Sequence, residues 1–231
     1  MKEVNRRAFC RSLCQGAIGI GCYLFALSLP VFTQNNAGQK ELDAFVNALQ
    51  IKYYKLGSLA ADFTQNYHAP GERSRQETGS LLLKKPGMMR WVYQAPESKL
   101  FISDGKWLYE YVAADKMATR TAVKETDDLR SAFLFLLGRG NLRRDFKRIE
   151  WANETPITAG HRVLRLVPKR GNVRELLVEA EPTSLQLKRL VIINGNGGRS
   201  DFLFSNLREN PPVNEAQFKF TAPAGVRVLD Q

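Results

Sequence analysis

The side chains able to do chemistry are few. His68 and His161 are the only histidines in 231 residues. They lie far apart in sequence, so no metal site is read from them. The three cysteines, Cys10, Cys14 and Cys22, all fall within the first 33 residues. The body that follows therefore offers no thiol nucleophile, disulfide or thiolate ligand. No serine is accompanied by a legible His and Asp arrangement for acyl transfer. Asp127 and Asp128 stand where a helix N-terminus would use them. The run NGNGGRSD, residues 194–201, has the glycines of a phosphate loop, but it lies between two strand patterns and reads as a hairpin turn. The expectation is no catalytic residue, no metal and no cofactor. What the composition does supply is apolar surplus: 44% of the chain is hydrophobic, enough for a core with material left to line a cavity for an apolar ligand.

The elements that must position this surplus follow from periodicity. In KELDAFVNALQIKYY, Leu42, Phe45, Val46, Leu49 and Tyr53 recur at helical spacing, predicting a helix over 40–54. LAADFTQNY then alternates, with Leu59, Ala61, Phe63, Gln65 and Tyr67 on one face of a strand. HAPGERSRQE, residues 68–77, has no apolar period and reads as a turn or long loop. TGSLLLKK, MMRWVYQ, KLFISD, KWLYEYVA and KMATRTAV follow as short strands separated by PG, AP, DG and AAD, with Asp104-Gly105 a hairpin signal. A helix is predicted over 129–137, where Leu129, Phe133, Leu136 and Leu137 share a face, and a shorter one over 142–147. Five more strand patterns and an extended tail, FKF then VRV, complete the chain. With no Pro- or Ser-rich linker, residues 34–231 are expected to form a single α+β domain on a large antiparallel sheet.

Residues 1–33 give the address. Lys2, Arg6, Arg7 and Arg11 precede the nearly uncharged run AIGIGCYLFALSLPVF, the plan of an export signal. The run is short for a spanning helix, which needs about 20 apolar residues, leaving a retained N-terminal anchor as the alternative. NRRAF also resembles a twin-arginine export motif. Cleavage is expected near Thr33. Most of the formal charge of +11 belongs to the body, which suits an anionic lipid surface or an acidic protein partner; export makes nucleic acid the least fitting partner.

Three separate segments resemble one family, the periplasmic carriers of outer-membrane lipoproteins known as LolA. ADFTQ, residues 61–65, is similar to a short strand signature of the family. GSLLLKKPGMMRWVYQAPESKLFISDGKWLYEY, residues 79–111, is similar to its pattern of G-x-L, K-R-P-x-x-F-R-W, P and S-D-G-K-x-L-W-x-Y. FKFTAPAGVRVLD, residues 218–230, resembles its closing F-x-F-x-P-x-G-V-x-V. The resemblance implies an unclosed antiparallel β-barrel of about eleven strands, with helices forming a lid over a hydrophobic cavity. It also implies a monomer in the periplasm, with acylated lipoproteins as cargo, an inner-membrane lipoprotein-releasing ABC transporter as donor and an outer-membrane receptor as acceptor. A lipid- or lipoprotein-sensing protein, or a glycolipid-export binding protein without shuttle activity, is the alternative. The family's arginine before the motif proline, which bonds lid elements, is here Lys85, and its motif phenylalanine is Met89.

Strand parity places Leu81, Leu83 and Lys85 on one face, and Met89, Trp91 and Tyr93 on one face after the Pro86-Gly87 turn. These residues, with Phe63 and with Phe133 and Leu136 from the lid, are the expected lipid-binding set. For the apolar members the competing expectation is ordinary core packing, and for Lys85 a snorkelling surface lysine.

Overall fold

A computed structural model describes residues 34–123 and 140–231. Helix α1 covers Gln34–Lys55. It is longer at its start than the apolar pattern predicts, because once the packed turns exist each added residue contributes a backbone hydrogen bond without needing a partner surface. Lys52 and Lys55 occupy its last turn, where cations favour the negative end of the helix dipole.

Six strands follow: β1 Ser58–His68, β2 Arg75–Lys84, β3 Met88–Ala95, β4 Lys99–Asp104, β5 Trp107–Val112 and β6 Met117–Ala122. After residue 140 come α2 Leu142–Asp145, β7 Phe146–Trp151, β8 Arg162–Pro168, β9 Val173–Ala180, β10 Leu187–Asn194 and β11 Arg199–Glu209. A 3-10 turn, Glu215–Phe218, and β12 Arg227–Asp230 complete the chain. All twelve strands join one sheet in the order β12-β6-β5-β4-β3-β2-β1-β11-β10-β9-β8-β7. Each neighbouring pair is antiparallel except β12 with β6, which is parallel. The two ends of this order do not pair with each other, so the sheet is unclosed.

Several expectations need correction. Among the described residues there are twelve strands where the resemblance implied about eleven. The last of them zips beside Met117–Arg120 and is held by a two-pronged pair in which Arg120 donates to both oxygens of Asp230, at 2.6 and 2.8 Å. The helix expected over 142–147 stops at Asp145, because Phe146 turns into the core as the first residue of β7. FKF is not extended throughout: Phe218 ends a 3-10 turn capped by Asn214. The loop expected over 68–77 ends earlier, at the start of β2. The helix predicted over 129–137 lies outside the described residues. The hairpins behave as read: Asp104 Oδ1 accepts from the amides of Lys106 and Trp107, both at 2.8 Å, the side-chain turn that makes Asp-Gly a hairpin signal.

Period-two burial gives the sheet two distinct faces. The inner face carries the main core, in which Phe63, Leu81, Leu83, Met89, Trp91, Phe202 and Phe204 meet Leu42, Phe45, Val46, Leu49 and Tyr53 of α1. The outer face holds a smaller cluster, Val163, Leu177, Val191 and Ile193. It is also crossed by the segment from β11 to β12, which is anchored by buried Phe218 and by Phe220 stacked at 5.1 Å on Tyr109. No helix among the described residues is long and apolar enough to cross a membrane.

Candidate functional site

The inner face of β1, β2, β3 and β11 is an aromatic floor. Phe63 stands at its centre, its ring 5.0 Å from Trp91, 4.9 Å from Tyr93 and 6.1 Å from Phe202. Trp91 and Phe202 lie 5.5 Å apart, and so do Tyr93 and Phe101. Most of these pairs are edge to face, the arrangement the ring quadrupole favours. Gly79 makes the cluster possible: it pairs with both Phe63 and Tyr93 across its strands, and the Phe63 ring lies over it.

Toward β4 and β5 the floor opens into a pocket of about 400 Å³, within the range of ligand sites, where Gln65, Tyr93, Phe101, Val112 and Phe202 meet the charged residues Glu77, Glu97, Lys99, Glu110 and Asp115. Several of its polar groups bond one another. The Tyr93 hydroxyl donates to Gln65 Oε1 at 2.7 Å, and Gln65 Nε2 donates to Ser200 Oγ at 3.3 Å. At the rim Lys99 bonds Glu77 at 2.6 Å and Glu97 at 3.3 Å. Burial opposes its charge, but the two carboxylates outweigh it and hold the ammonium above its ordinary pKa. Because Tyr93 and Gln65 already bond within the protein, hydrocarbon laid on the aromatic side of this pocket would not strand those two groups.

Six of the nine expected site residues, Phe63, Leu81, Leu83, Met89, Trp91 and Tyr93, come together in the inner core, all with at most 5% of their surface exposed. Phe133 and Leu136 lie outside the described residues. The ninth, Lys85, stands one residue past β2, which ends at Lys84, and its ammonium donates to the carbonyl of Tyr54 in the last turn of α1. Phe101, Phe202 and Gln65 are part of the same surface and were absent from the expected set. The alternation of KLFISD and of RSDFLFSNL marks their faces, but nothing in sequence says that β11 lies beside β1. Among the described residues no group of three or more His, Cys, Asp or Glu is gathered to hold a metal.

The profile of the family described as "Outer membrane lipoprotein carrier protein LolA" matches residues 54–221. The chain belongs to the LolA family. An outer-membrane lipoprotein carrier protein of Bordetella avium is 29% identical over 207 residues, covering 89% of this chain and 93% of the relative. One from Pseudoalteromonas translucida is 27% identical over 188 residues, covering 80% and 86%. Among solved structures, an uncharacterized conserved protein from Thermus thermophilus has the same fold, with a TM-score of 0.51 at 11% identity, covering 84% of this chain and 99% of that one.

Within the LolA frame, Lys85 has a specific place in this molecule. Its ammonium donates to the Tyr54 carbonyl and lies 5.0 Å over the Tyr54 ring, while its amide donates to the Gly57 carbonyl at 2.9 Å. It thus closes the C-terminal turn of α1, where carbonyls lack helical partners. Burial lowers its pKa. Lys85→Met is expected to loosen the last turn of α1 by about 0.5–1 kcal/mol. Amide exchange at Tyr54 and Lys55 should accelerate correspondingly, and Lys85→Arg should slow it again because guanidinium offers more donors. Unchanged exchange in Lys85→Met would remove this role.

Proposed function

We propose that the protein is a periplasmic carrier that takes the acyl chains of lipoproteins on its inner face and moves them from an inner-membrane releasing transporter to the outer membrane. In this reading residues 1–33 are removed on export, residues 34–231 act as one unit and as a monomer, and α1 is the movable cover of the site. The observation that carries it is the continuity of the Phe63, Trp91, Tyr93 and Phe202 floor with a pocket that opens beside Phe101. The site residues proposed are Phe63, Leu81, Leu83, Met89, Trp91 and Tyr93, joined by Phe101 and Phe202, with Lys85 holding the cover. The role is binding and transfer, not catalysis.

The energetics require a carrier of this kind. Burying one methylene is worth about 0.8 kcal/mol, so about three chains of about fifteen methylenes represent on the order of 35 kcal/mol of gross burial. Release through water is excluded on that scale, so transfer must pass directly from one apolar surface to another. The cover must then open at small cost, and a single lysine on a helix end is a weaker latch than a bidentate arginine. The test is lipoprotein release from spheroplasts of a strain lacking the protein. Release that requires added protein supports the carrier reading. Release unaffected by its absence overturns it and favours a sensing or glycolipid-export role.

A further inference from the structure

We infer that the outer face carries a docking groove for an extended, acidic and apolar segment of a partner protein, bracketed by Arg90 and Arg208. The groove, about 580 Å³, is lined by Ala60, Leu82 and Val92 and walled by Pro211, Pro212 and Val213. Its geometry follows from strand register. Arg208 of β11 pairs with Ala60 of β1, Ala60 with Leu82 of β2, and Leu82 with Arg90 of β3. One cross-strand row therefore reads arginine, alanine, leucine, arginine. Three strand spacings of about 4.8 Å set the two arginine backbones roughly 14 Å apart.

Neither guanidinium is ion-paired among the described residues. Arg90 donates to the Gln217 carbonyl at 3.2 Å, and Arg208 is exposed. The carboxylate in the groove, Asp62, already accepts from Asn206 at 2.8 Å. A second groove on the same face provides the contrast. There Arg165 is met by Glu150 and Glu175, and Arg199 by Glu154 and Asp201. Guanidiniums that meet no internal carboxylate beside an apolar strip are arranged for an external one.

The occupant is an extended polypeptide. An extended chain advances about 3.4 Å per residue and turns alternate side chains to one face, so carboxylates at i and i+4 reach the two arginines while an apolar residue at i+2 meets Ala60 and Leu82. The wall runs the same way: Pro211 is fixed over β1 by the Ser58 hydroxyl at 2.7 Å, Glu215 over β2 by Lys84 at 2.5 Å, and Gln217 over β3 by Arg90. A groove walled along one side and two cross-strand rows wide, Ala60 with Leu82 and Asp62 with Ser80 and Val92, admits a chain where a flat bilayer cannot enter, and the net positive charge disfavours a second copy of this protein.

The test uses fluorescein-labelled peptides with the exported chain and reads anisotropy. A peptide with the core Glu-Ser-Leu-Ser-Glu is expected to bind about tenfold more tightly than its isomer Glu-Glu-Ser-Leu-Ser, and Arg208→Glu and Leu82→Glu should each weaken it by about tenfold or more. Both variants should bind a triacylated lipopeptide as before, since they lie on the other face. This keeps the inference separate from the carrier reading. Equal binding of the two peptides, or binding insensitive to both variants, overturns it. So does capture by phosphatidylglycerol vesicles that Arg208→Glu abolishes with no peptide preference, which would assign the arginines to a membrane.

Discussion

Gly79→Ala is expected to lower the unfolding free energy by about 2–4 kcal/mol, since overpacking a filled core costs 1–3 kcal/mol and here the obstacle is backbone. A β-carbon at 79 would stand 2.1 Å from the Val92 carbonyl oxygen and 2.8 Å from the Phe63 ring. The ring could shift, but the carbonyl belongs to the β2–β3 pairing, whose register already slips by one residue between Thr78 and Gly79. Relief therefore means parting two central strands or tilting Phe63 out of its contacts with Trp91, Tyr93 and Phe202. The urea midpoint should fall with little change in slope. Because Phe63 must move, residual folded protein should also bind acyl chains more weakly. A midpoint unchanged in Gly79→Ala would mean that the floor is far more plastic than this packing implies.

Phe101→Glu should weaken binding of a triacylated lipopeptide by about a hundredfold or more, since a carboxylate desolvated against hydrocarbon costs several kcal/mol. Phe101 packs at 5.5 Å on Tyr93 and lines the mouth of the inner pocket. Its neighbour Lys99 cannot neutralise the new charge cheaply, being already shared by Glu77 and Glu97. In the empty protein the carboxylate can face water at the pocket mouth, so a single cooperative urea transition should persist at a lower midpoint. Leu82→Glu on the outer face is the matched control, adding the same charge without touching the floor. Equal loss in both variants would indicate a charge effect unrelated to the site.

How much of this was legible in sequence depends on the range of the interaction. Local signals carried well. The Leu42 to Tyr53 stripe forms the packed face of α1, the alternation from Leu59 to Gln65 gives the faces of β1, and Asp104-Gly105 makes its turn. Parity also placed Leu81, Leu83, Met89, Trp91 and Tyr93 on one buried face. What failed was non-local. That β11 returns beside β1, bringing Phe202 under Phe63, is a pairing between segments more than a hundred residues apart, and no periodicity encodes it. The parallel attachment of β12 to β6 is of the same kind. That Lys85, one residue past the end of β2, meets the Tyr54 carbonyl of α1 is likewise a contact that no strand parity encodes. The outer row of Arg208, Ala60, Leu82 and Arg90 draws one residue from each of four strands, and becomes visible only once register is known.

The central claim is that the aromatic inner face holds acyl chains, and native mass spectrometry of the exported protein mixed with a triacylated Cys-Ser-Lys-Lys-Lys-Lys lipopeptide tests it most directly. A one-to-one complex that is lost in Phe101→Glu and retained in Leu82→Glu is the expected result. No complex, or one that Phe101→Glu leaves intact, would contradict it.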